Sequence, residues 1–166
     1  SGLNFLAAWK LWESSGATGQ LHFVSVEKFP FSQDDLQRAH SFWPELATYS
    51  AYLIKAWPGQ VKGYHRLHLT ENITLTLIHD DVVSGLQGIE ANVNAWFLDG
   101  FKPASNPEMW SDIVFENVGR LTNINGSFAT FTSAGVVKRG LRAAGFGVKR
   151  ISGFGYKRHM LVGQKI

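Results

Sequence analysis

Short apolar runs and helical patterns alternate along the whole chain. Residues 3–12 are apolar nearly all round and predict a buried helix, whereas residues 21–27 form an apolar run that ends on a charge, as buried parallel strands do. Residues 65–69 and 73–78 alternate in polarity on either side of a turn and therefore predict a hairpin. The remaining predicted elements are strands at residues 93–99, 127–132, 148–151 and 159–162, and helices that start at residues 33, 44, 107 and 137.

This order of elements predicts a layered α/β domain without internal repeats or long linkers. The last two strands enclose a glycine-rich turn, and we expect them to run antiparallel to each other. An open parallel sheet normally begins with a strand, and a glycine-rich turn then leads into the first helix. Ser1 and Gly2 resemble the end of such a turn. We therefore expect residues 1–166 to be one domain whose first strand and most of whose glycine turn lie upstream.

Length and composition exclude several classes of protein. The 166 residues suffice for one domain with its own core, and 45% of them are apolar whereas 17% are charged, which excludes a disordered tail and a coiled coil. The chain contains no cysteine, which excludes a disulfide, a thiolate nucleophile and a cysteine-based zinc site. No apolar run approaches the roughly 20 residues of a membrane span, and no signal peptide is visible. We expect a globular domain of the cytoplasm with no membrane partner.

The charged residues are unevenly distributed. The chain carries 16 basic and 13 acidic residues, but residues 136–166 hold eight of the basic residues and none of the acidic ones. Three aromatic side chains and several glycines interrupt this basic stretch, a pattern that suits a surface for polyanions. A solvated helix face is the commoner explanation of a block of like charges. Contact with nucleic acid is therefore one of two open interpretations.

Three carboxylates follow three predicted strands: Glu27, Asp81 and Asp99. Ligands of open α/β sheets bind at the carboxyl edge of the strands, where an acid after the second strand characteristically binds ribose hydroxyls. A single acid at a strand end is at least as often a plain surface charge as part of a site. Three acids at equivalent positions favour a site. Asp80 competes with Asp81 for the same role, and either can instead be a turn residue.

Residues 98–107 are the most informative stretch. A strand delivers Asp99 into a loop that is rich in glycine and proline and carries the aromatic side chain of Phe101. Such a loop is stiff enough to hold a substrate amine or the edge of a base at a fixed angle. The same residues also fit a tight connection from strand to helix in which Asp99 bonds to loop amides. The motif alone leaves both interpretations open.

Other side chains give weaker signals. His65 and His68 lie three apart on a predicted strand and therefore face opposite sides, which argues against a shared metal ion. His79, beside two acids, is interpreted as a turn residue. Ser133 is interpreted as a helix cap, because no G-x-S-x-G elbow surrounds it. We predict no metal site.

Five blocks of sequence, taken together, resemble one family. Residues 1–6 are similar to the end of a GTGLNFL nucleotide loop, and residues 22–30 to the second strand of the same family. Residues 95–110 are similar to its AWFLDGFxPxxNPxMW signature, and residues 129–135 and 153–158 to its last two blocks. The family that the chain resembles is the methyltransferase domain of MnmC, a bifunctional enzyme of tRNA wobble-uridine modification. The resemblance covers nearly the whole chain in the right order.

The resemblance implies a Rossmann-like sheet with helices on both faces and an antiparallel last strand. It also implies transfer of a methyl group from S-adenosylmethionine to the aminomethyl nitrogen of the wobble uridine, which converts 5-aminomethyl-2-thiouridine to 5-methylaminomethyl-2-thiouridine in tRNA. The turn that ends at Gly2 would contact the amino-acid part of the cofactor. The residues that it implies for the cofactor are Gly2, Asn4, Glu27 on the ribose, Asp81 on the adenine amino group, and Asp99, which is also the catalytic residue facing the reacting centre.

The same resemblance implies the substrate side of the site. Phe101 and Pro103 would wall a flipped-out base, Lys102 belongs to the same loop, and Lys157 and Arg158 would position phosphates of the anticodon stem. Members of the family commonly carry a flavin-dependent oxidase domain after this one, fused or separate, and flavin would belong only to that domain.

Two further functions remain open from the residues. A non-catalytic RNA-binding module on the same fold would explain the basic terminus equally well, although the three acids at strand ends favour an enzyme. A nicotinamide-dependent oxidoreductase would use the same acid after the second strand. That third function leaves the loop around Asp99 unexplained.

Overall fold

The chain divides into two compact units, residues 1–81 (unit 1) and residues 82–166 (unit 2), in a computed structural model that describes residues 1–155 and 157–166. The elements of unit 1 are α1 (Leu3–Ser14), β1 (Leu21–Val26), α2 (Gln33–His40), α3 (Ala47–Ala56), β2 (Gly63–His68) and β3 (Ile73–His79). The elements of unit 2 are α4 (Val82–Gln87), β4 (Val93–Phe97), α5 (Asp112–Leu121), β5 (Thr122–Thr130), α6 (Gly135–Ala143), β6 (Phe146–Ser152) and β7 (His159–Lys165). The predicted α/β class is confirmed.

The strands of unit 1 form a sheet in the order β1-β3-β2. β1 runs parallel to β3, with Val26 opposite Ile78, whereas β2 and β3 form the predicted antiparallel hairpin. The carboxyl ends of β1 and β3 therefore lie at the same edge of the sheet. This edge receives the residues that follow both strands, which include Glu27 and Asp81.

The core of unit 1 is built from the apolar faces of the helices and the alternating inward positions of β3. The nearly all-apolar α1 contributes Trp9, which is 1% exposed, and α3 contributes the fully buried Leu53. Truncating such a leucine to alanine costs about 2–5 kcal/mol of stability, because it removes apolar contacts and leaves a cavity. The buried cluster consists of Phe5, Leu6, Trp9, Leu36, Leu46, Leu53, Ile73, Leu75 and Leu77.

The strands of unit 2 form a second sheet in the order β4-β5-β7-β6. β4 runs parallel to β5, with Phe97 opposite Ala129, and β7 runs antiparallel to both β5 and β6. The predicted antiparallel arrangement of the last two strands is confirmed. Helix α6 packs closely on α5 at Gly140, where a Cβ atom would lie 2.1 Å from Cδ2 of Phe115, so only glycine permits this approach.

Both helices that were predicted to begin at a proline start with a short 3-10 turn instead. Pro44–Leu46 precedes α3, and Pro107–Trp110 precedes α5, which begins only at Asp112 after an extended Ser111. Beside the second break, the indole Nε1 of Trp110 donates to the Phe101 carbonyl in the preceding loop. The short helix α4 was not predicted, and its six residues are too few to give a periodic pattern.

Two side chains occupy places other than the predicted ones. His79 is not a turn residue: pairing with Gly63 extends β3 to His79, whose side chain is 3% exposed and whose Nδ1 donates to the Val61 carbonyl at 2.9 Å. Ser133 is not the helix cap, because α6 begins after Ala134, whose N–H donates to Oγ1 of Thr132. None of the described helices is both long and apolar enough to cross a membrane.

Candidate functional site

Glu27 lies at the carboxyl edge of the unit 1 sheet, directly after β1. Its N–H donates to the Ile78 carbonyl at 2.9 Å and so continues the ladder by one residue. Its Oε1 accepts from the N–H of Phe29 at 2.9 Å, which fixes the carboxylate against the turn that leaves the strand. The partly buried side chain therefore has a defined orientation at the edge where ligands of such sheets bind.

The two neighbouring acids after β3 have different surroundings. Oδ1 of Asp80 accepts from the N–H of Asp81 at 2.8 Å and lies 3.1 Å from Nζ of Lys62. The backbone donor, and after it the Lys62 ammonium, hold the pKa of the Asp80 carboxyl below its usual value. Oδ2 of Asp81 lies 3.3 Å from Nζ of Lys28, next to Glu27 along the chain. Asp80 thus closes the turn, while Asp81 joins the group at the sheet edge.

Gly2 caps the amino end of α1 in a left-handed conformation, with φ of 76°. A Cβ at this position would lie 3.0 Å from Cδ2 of Leu53 and would also strain the backbone, so the turn requires glycine. The Gly2 carbonyl accepts from the N–H of Leu6 at 3.0 Å and starts the helix. Asn4 lies in the first turn of α1 and is partly buried. The predicted cofactor turn of unit 1 is therefore a tightly defined piece of backbone.

In unit 2, Asp99 and the loop that follows it extend from the carboxyl end of β4. Asp99 is exposed, and the loop is anchored behind it by Trp110, whose Nε1 donates to the Phe101 carbonyl at 2.9 Å. The carbonyl of Lys102 accepts from the N–H groups of Ser105 and Asn106 at 2.8 and 3.0 Å. These bonds anchor the loop to the turn before α5 and close it on itself, and Phe101 is 75% exposed.

A cavity of about 380 Å³ opens in unit 2 at the ends of β5 and β7. It brings together three of the predicted tRNA-binding residues, Lys102, Lys157 and Arg158, although the first lies 55 positions before the second. Nζ of Lys157 stands 5.3 Å from the centre of the Phe131 ring. The full lining is Lys102, Phe131, Thr132, Ser133, Ala134, Lys157, Arg158 and His159, and we call this cavity the basic pocket.

The basic pocket offers cations, hydroxyls and an aromatic face, but the lining residues include no carboxylate. Phe101 and Pro103, predicted on the substrate side, are not among the described lining residues. Tyr156, which belongs to the last block of the resemblance, lies outside the described residues. No group of three histidine, aspartate or glutamate side chains in the described part of the chain has the arrangement of a metal site.

Comparisons with known proteins identify the family of the chain. A family model described as S-adenosyl-L-methionine-dependent methyltransferase matches residues 44–166. The chain belongs to this methyltransferase family. S-adenosyl-L-methionine is accordingly its cofactor, as the resemblance implied.

Curated relatives match nearly the whole chain. The tRNA 5-methylaminomethyl-2-thiouridine biosynthesis bifunctional protein MnmC of Ectopseudomonas mendocina is 52% identical over 98% of this chain and 25% of its own length. The protein of the same name from Methylobacillus flagellatus is 48% identical over 99% of this chain and 26% of its own length. The resemblance to MnmC is confirmed, and the chain spans about a quarter of the length of these relatives.

Among solved structures, MNMC2 from Aquifex aeolicus has a TM-score of 0.76 to this methyltransferase chain. It is 23% identical and matches 98% of this chain and 49% of its own. At this identity the likeness shows the fold. Together with the family match and the antiparallel last strands, it confirms the predicted Rossmann-like methyltransferase fold.

The donors and acceptors of the methyltransferase chain fit its cofactor. S-adenosyl-L-methionine carries ribose hydroxyls and an adenine amino group, which are hydrogen-bond donors, and a charged amino-acid part. Glu27 and Asp81 supply carboxylate acceptors at one sheet edge, and the glycine turn at the start of α1 supplies backbone that a ligand can approach closely.

Sequence reasoning missed several residues of the basic pocket, which include Phe131, Thr132 and His159. Only the pairing of β5 with β7 brings them beside Lys157. The basic block gave the one usable signal, because it marked Lys157 and Arg158. Nothing in the sequence pattern singled out His40, a buried histidine of unit 1.

Proposed function

We propose that this chain is the methyltransferase part of a tRNA-modifying enzyme. It transfers a methyl group from S-adenosyl-L-methionine to the aminomethyl nitrogen of 5-aminomethyl-2-thiouridine at the wobble position. The observation that carries the proposal is the basic pocket, since it gathers Lys102, Lys157 and Arg158 at the strand ends that also present the Asp99 loop. The curated relatives, whose names state tRNA 5-methylaminomethyl-2-thiouridine biosynthesis, support the same substrate.

Unit 1 binds the cofactor in this proposal. Glu27 accepts hydrogen bonds from the ribose hydroxyls, and Asp81 accepts one from the adenine amino group. Gly2 and Asn4 bind the amino-acid part at the amino end of α1, where backbone N–H groups favour a carboxylate. Their support is the fixed orientation of Glu27 by the Phe29 amide and the tight turn at Gly2.

Asp99 is the catalytic residue of the proposal. When bound, the cofactor would supply an activated methyl group for the substrate nitrogen, which would lose one proton overall. An alkylamine is mostly protonated at neutral pH, so its nitrogen must give up a proton to an acceptor before it can attack. In this proposal Asp99, on a loop that the Trp110–Phe101 hydrogen bond anchors, accepts that proton and holds the amine in line.

The rest of unit 2 positions the RNA. Phe101, 75% exposed on a loop that is fixed from behind, offers a face on which an extruded base stacks, and Pro103 walls its other side. Lys157 and Arg158 contact phosphates near the wobble nucleotide, with Lys102 between the loop and the basic pocket. Ten basic and five acidic residues in unit 2 favour the approach of a polyanion.

We further propose that the natural protein is larger and acts in the cytoplasm. The relatives are bifunctional proteins of about four times the length of this chain, which supports a flavin-dependent oxidase part fused to this one. In unit 1 the described residues pair β1 on one side only, with β3. This supports an upstream first strand that carries the rest of the glycine turn.

The test is titration calorimetry with S-adenosyl-L-methionine, followed by transfer of a labelled methyl group to tRNA that carries 5-aminomethyl-2-thiouridine. Both are run on this chain and on a version extended upstream. Binding and transfer by the extended protein are expected. Binding of tRNA without binding of the cofactor by either protein would overturn the proposal and favour the non-catalytic RNA-binding module, which the basic pocket also suits.

A further inference from the structure

A buried histidine of unit 1 forms a hydrogen bond to the turn that leads into α1. His40, the last residue of α2, is 4% exposed. Its Nε2 lies 2.8 Å from the carbonyl oxygen of Ser1, and its Nδ1 lies 2.7 Å from Oγ of Ser50 on α3. Both ring nitrogens are therefore in hydrogen bonds, and the contact with Ser1 joins positions 39 residues apart.

The partners determine which nitrogen carries the proton. A carbonyl oxygen can only accept, so Nε2 of His40 is protonated and donates to Ser1. In the neutral ring Nδ1 is then an acceptor, and the hydroxyl of the buried Ser50 donates to it. The Ser1 carbonyl thus selects the tautomer, and the Ser50 hydroxyl, which can donate or accept, holds the other ring nitrogen in place.

Holding the Ser1 carbonyl also aims the next backbone N–H. The peptide between Ser1 and Gly2 is planar, and in a trans peptide the N–H points opposite to the C=O. With the carbonyl directed at the buried His40 ring, the Gly2 N–H is directed away from it. Gly2 is itself held in the left-handed region, with φ of 76°, and its turn has little freedom to reorient while His40 is in place.

We propose that His40 is a positioning residue for the cofactor turn. Through the Ser1–Gly2 peptide it orients the backbone donors at the start of α1 toward the amino-acid part of the cofactor, and the hydrogen bond with Ser50 fixes the orientation of its ring. This inference rests on the proposed function, in which that turn binds the cofactor. A buried histidine in a purely structural role would stabilise unit 1 without acting on cofactor affinity in particular.

The experiment compares variants in the natural full-length protein. His40→Ala removes both hydrogen bonds, whereas the amide nitrogen of His40→Gln reaches the place of Nε2 and still donates to Ser1. Leu36→Val is the matched control, because Leu36 is fully buried on the same helix and its apolar side chain cannot form a hydrogen bond to the Ser1 carbonyl. Thermal unfolding of each variant gives the stability cost, and calorimetry gives the affinity for S-adenosyl-L-methionine.

We expect His40→Ala to weaken cofactor binding roughly tenfold, the equivalent of about 1.4 kcal/mol, and to raise KM for the cofactor with little change in kcat at saturation. His40→Gln is expected to restore most of the affinity, and Leu36→Val to keep it at equal or greater loss of Tm. Equal affinities in His40→Ala, Leu36→Val and the parent protein would overturn the inference.

Hydrogen exchange separates this inference from the proposed function. The amides of residues 2–6 are expected to exchange faster in His40→Ala than in Leu36→Val, with no cofactor present. A parent protein that binds no S-adenosyl-L-methionine would refute the proposed cofactor site, and unchanged exchange at residues 2–6 in His40→Ala would refute the grip of His40 on the turn. Each result is read independently of the other.

Discussion

In each unit a pair of parallel strands brings functional side chains to its carboxyl end, and the two ends differ in charge and in exposure. After β1 and β3 of unit 1 the prominent groups are partly buried carboxylates, Glu27 and Asp81, held by a backbone amide and by Lys28. At the ends of β4 and β5 of unit 2 they are exposed: Asp99 and Phe101 on the loop after β4, and Lys157, which precedes β7, in the basic pocket. The same position in the fold thus suits a small ligand with hydroxyl donors in one unit and a polyanion in the other.

The difference between the two strand ends matches the difference between the two proposed ligands, the cofactor and the RNA. Fixed acceptors such as Glu27 suit a ligand of constant shape, because the donors of such a ligand always arrive at the same place. Flexible cations on a surface suit phosphates, whose position varies and whose attraction acts over a long range. We therefore expect substitutions in unit 1 to change cofactor affinity and substitutions in unit 2 to change RNA affinity or the chemical step.

The largest effect is expected at Asp99. Asp99→Asn keeps the size of the side chain but removes the proton acceptor, so kcat for methyl transfer should fall about 100-fold or more, as loss of a positioned general base typically does. Affinity for S-adenosyl-L-methionine, measured by calorimetry, should change by less than tenfold. Glu108→Gln, on the turn before α5, is the control for charge in the same unit. Full activity of Asp99→Asn would remove this residue from the mechanism.

The next effect is expected at Glu27. Glu27→Gln removes a charged acceptor and should weaken cofactor binding about tenfold to a hundredfold, because hydrogen bonds to charged groups contribute about 1.5–3 kcal/mol. Affinity for tRNA, measured by filter binding, should be unchanged. Glu71→Gln, at the exposed tip of the β2–β3 hairpin, makes the same charge change in unit 1 away from the sheet edge. A cofactor affinity that falls equally in both variants would contradict a specific contact with Glu27.

A smaller effect is expected when the basic pocket loses charge. The double variant Lys157→Ala/Arg158→Ala should weaken tRNA binding about tenfold and make the slope of log K against log salt shallower by about 1 to 2. Cofactor affinity should stay the same. The control is Lys149→Ala/Arg150→Ala on β6, which removes the same charge from exposed residues outside the pocket lining. Equal losses in the two double variants would mean that net charge, and not the pocket, attracts the RNA.

The sequence predicted the strand-end acids well, because an apolar run that stops at a charge locates the end of a buried strand almost to the residue. Glu27 directly follows β1, and Asp99 lies two positions after the end of β4. The basic pocket was beyond reach, since Lys102 and Lys157 meet only through the order β4-β5-β7. His40 was beyond reach as well: in a short helix of polar composition it has the pattern of a surface residue, and its partner Ser1 is 39 positions away.

The final prediction concerns acid stability, where the two units differ in their histidines. Five of the six histidines lie in unit 1, and His79 is buried there, with its Nδ1 donating to the Val61 carbonyl. Its Nε2 is buried and has no hydrogen-bond partner among the described residues. Burial lowers the pKa of His79, and the neighbouring His65 adds to this, although the Val61 hydrogen bond and Glu27 act in the opposite direction.

The unfolded chain therefore takes up a proton at His79 near pH 6.5 while the folded chain does not, so the free energy of unfolding should fall as the pH drops below about 6.5. One such group contributes at most about 1.4 kcal/mol per pH unit. His79→Asn keeps a donor near the Val61 carbonyl and does not titrate, so Tm measured between pH 7.5 and 5.5 should vary less in this variant than in the parent. His159→Asn, exposed in unit 2, should leave the pH dependence intact. If hydrogen exchange at pH 5.5 shows that β5 and β7 lose protection before β1 and β3, the acid-sensitive part of the molecule is unit 2, and the proposed contrast between the units does not hold for stability.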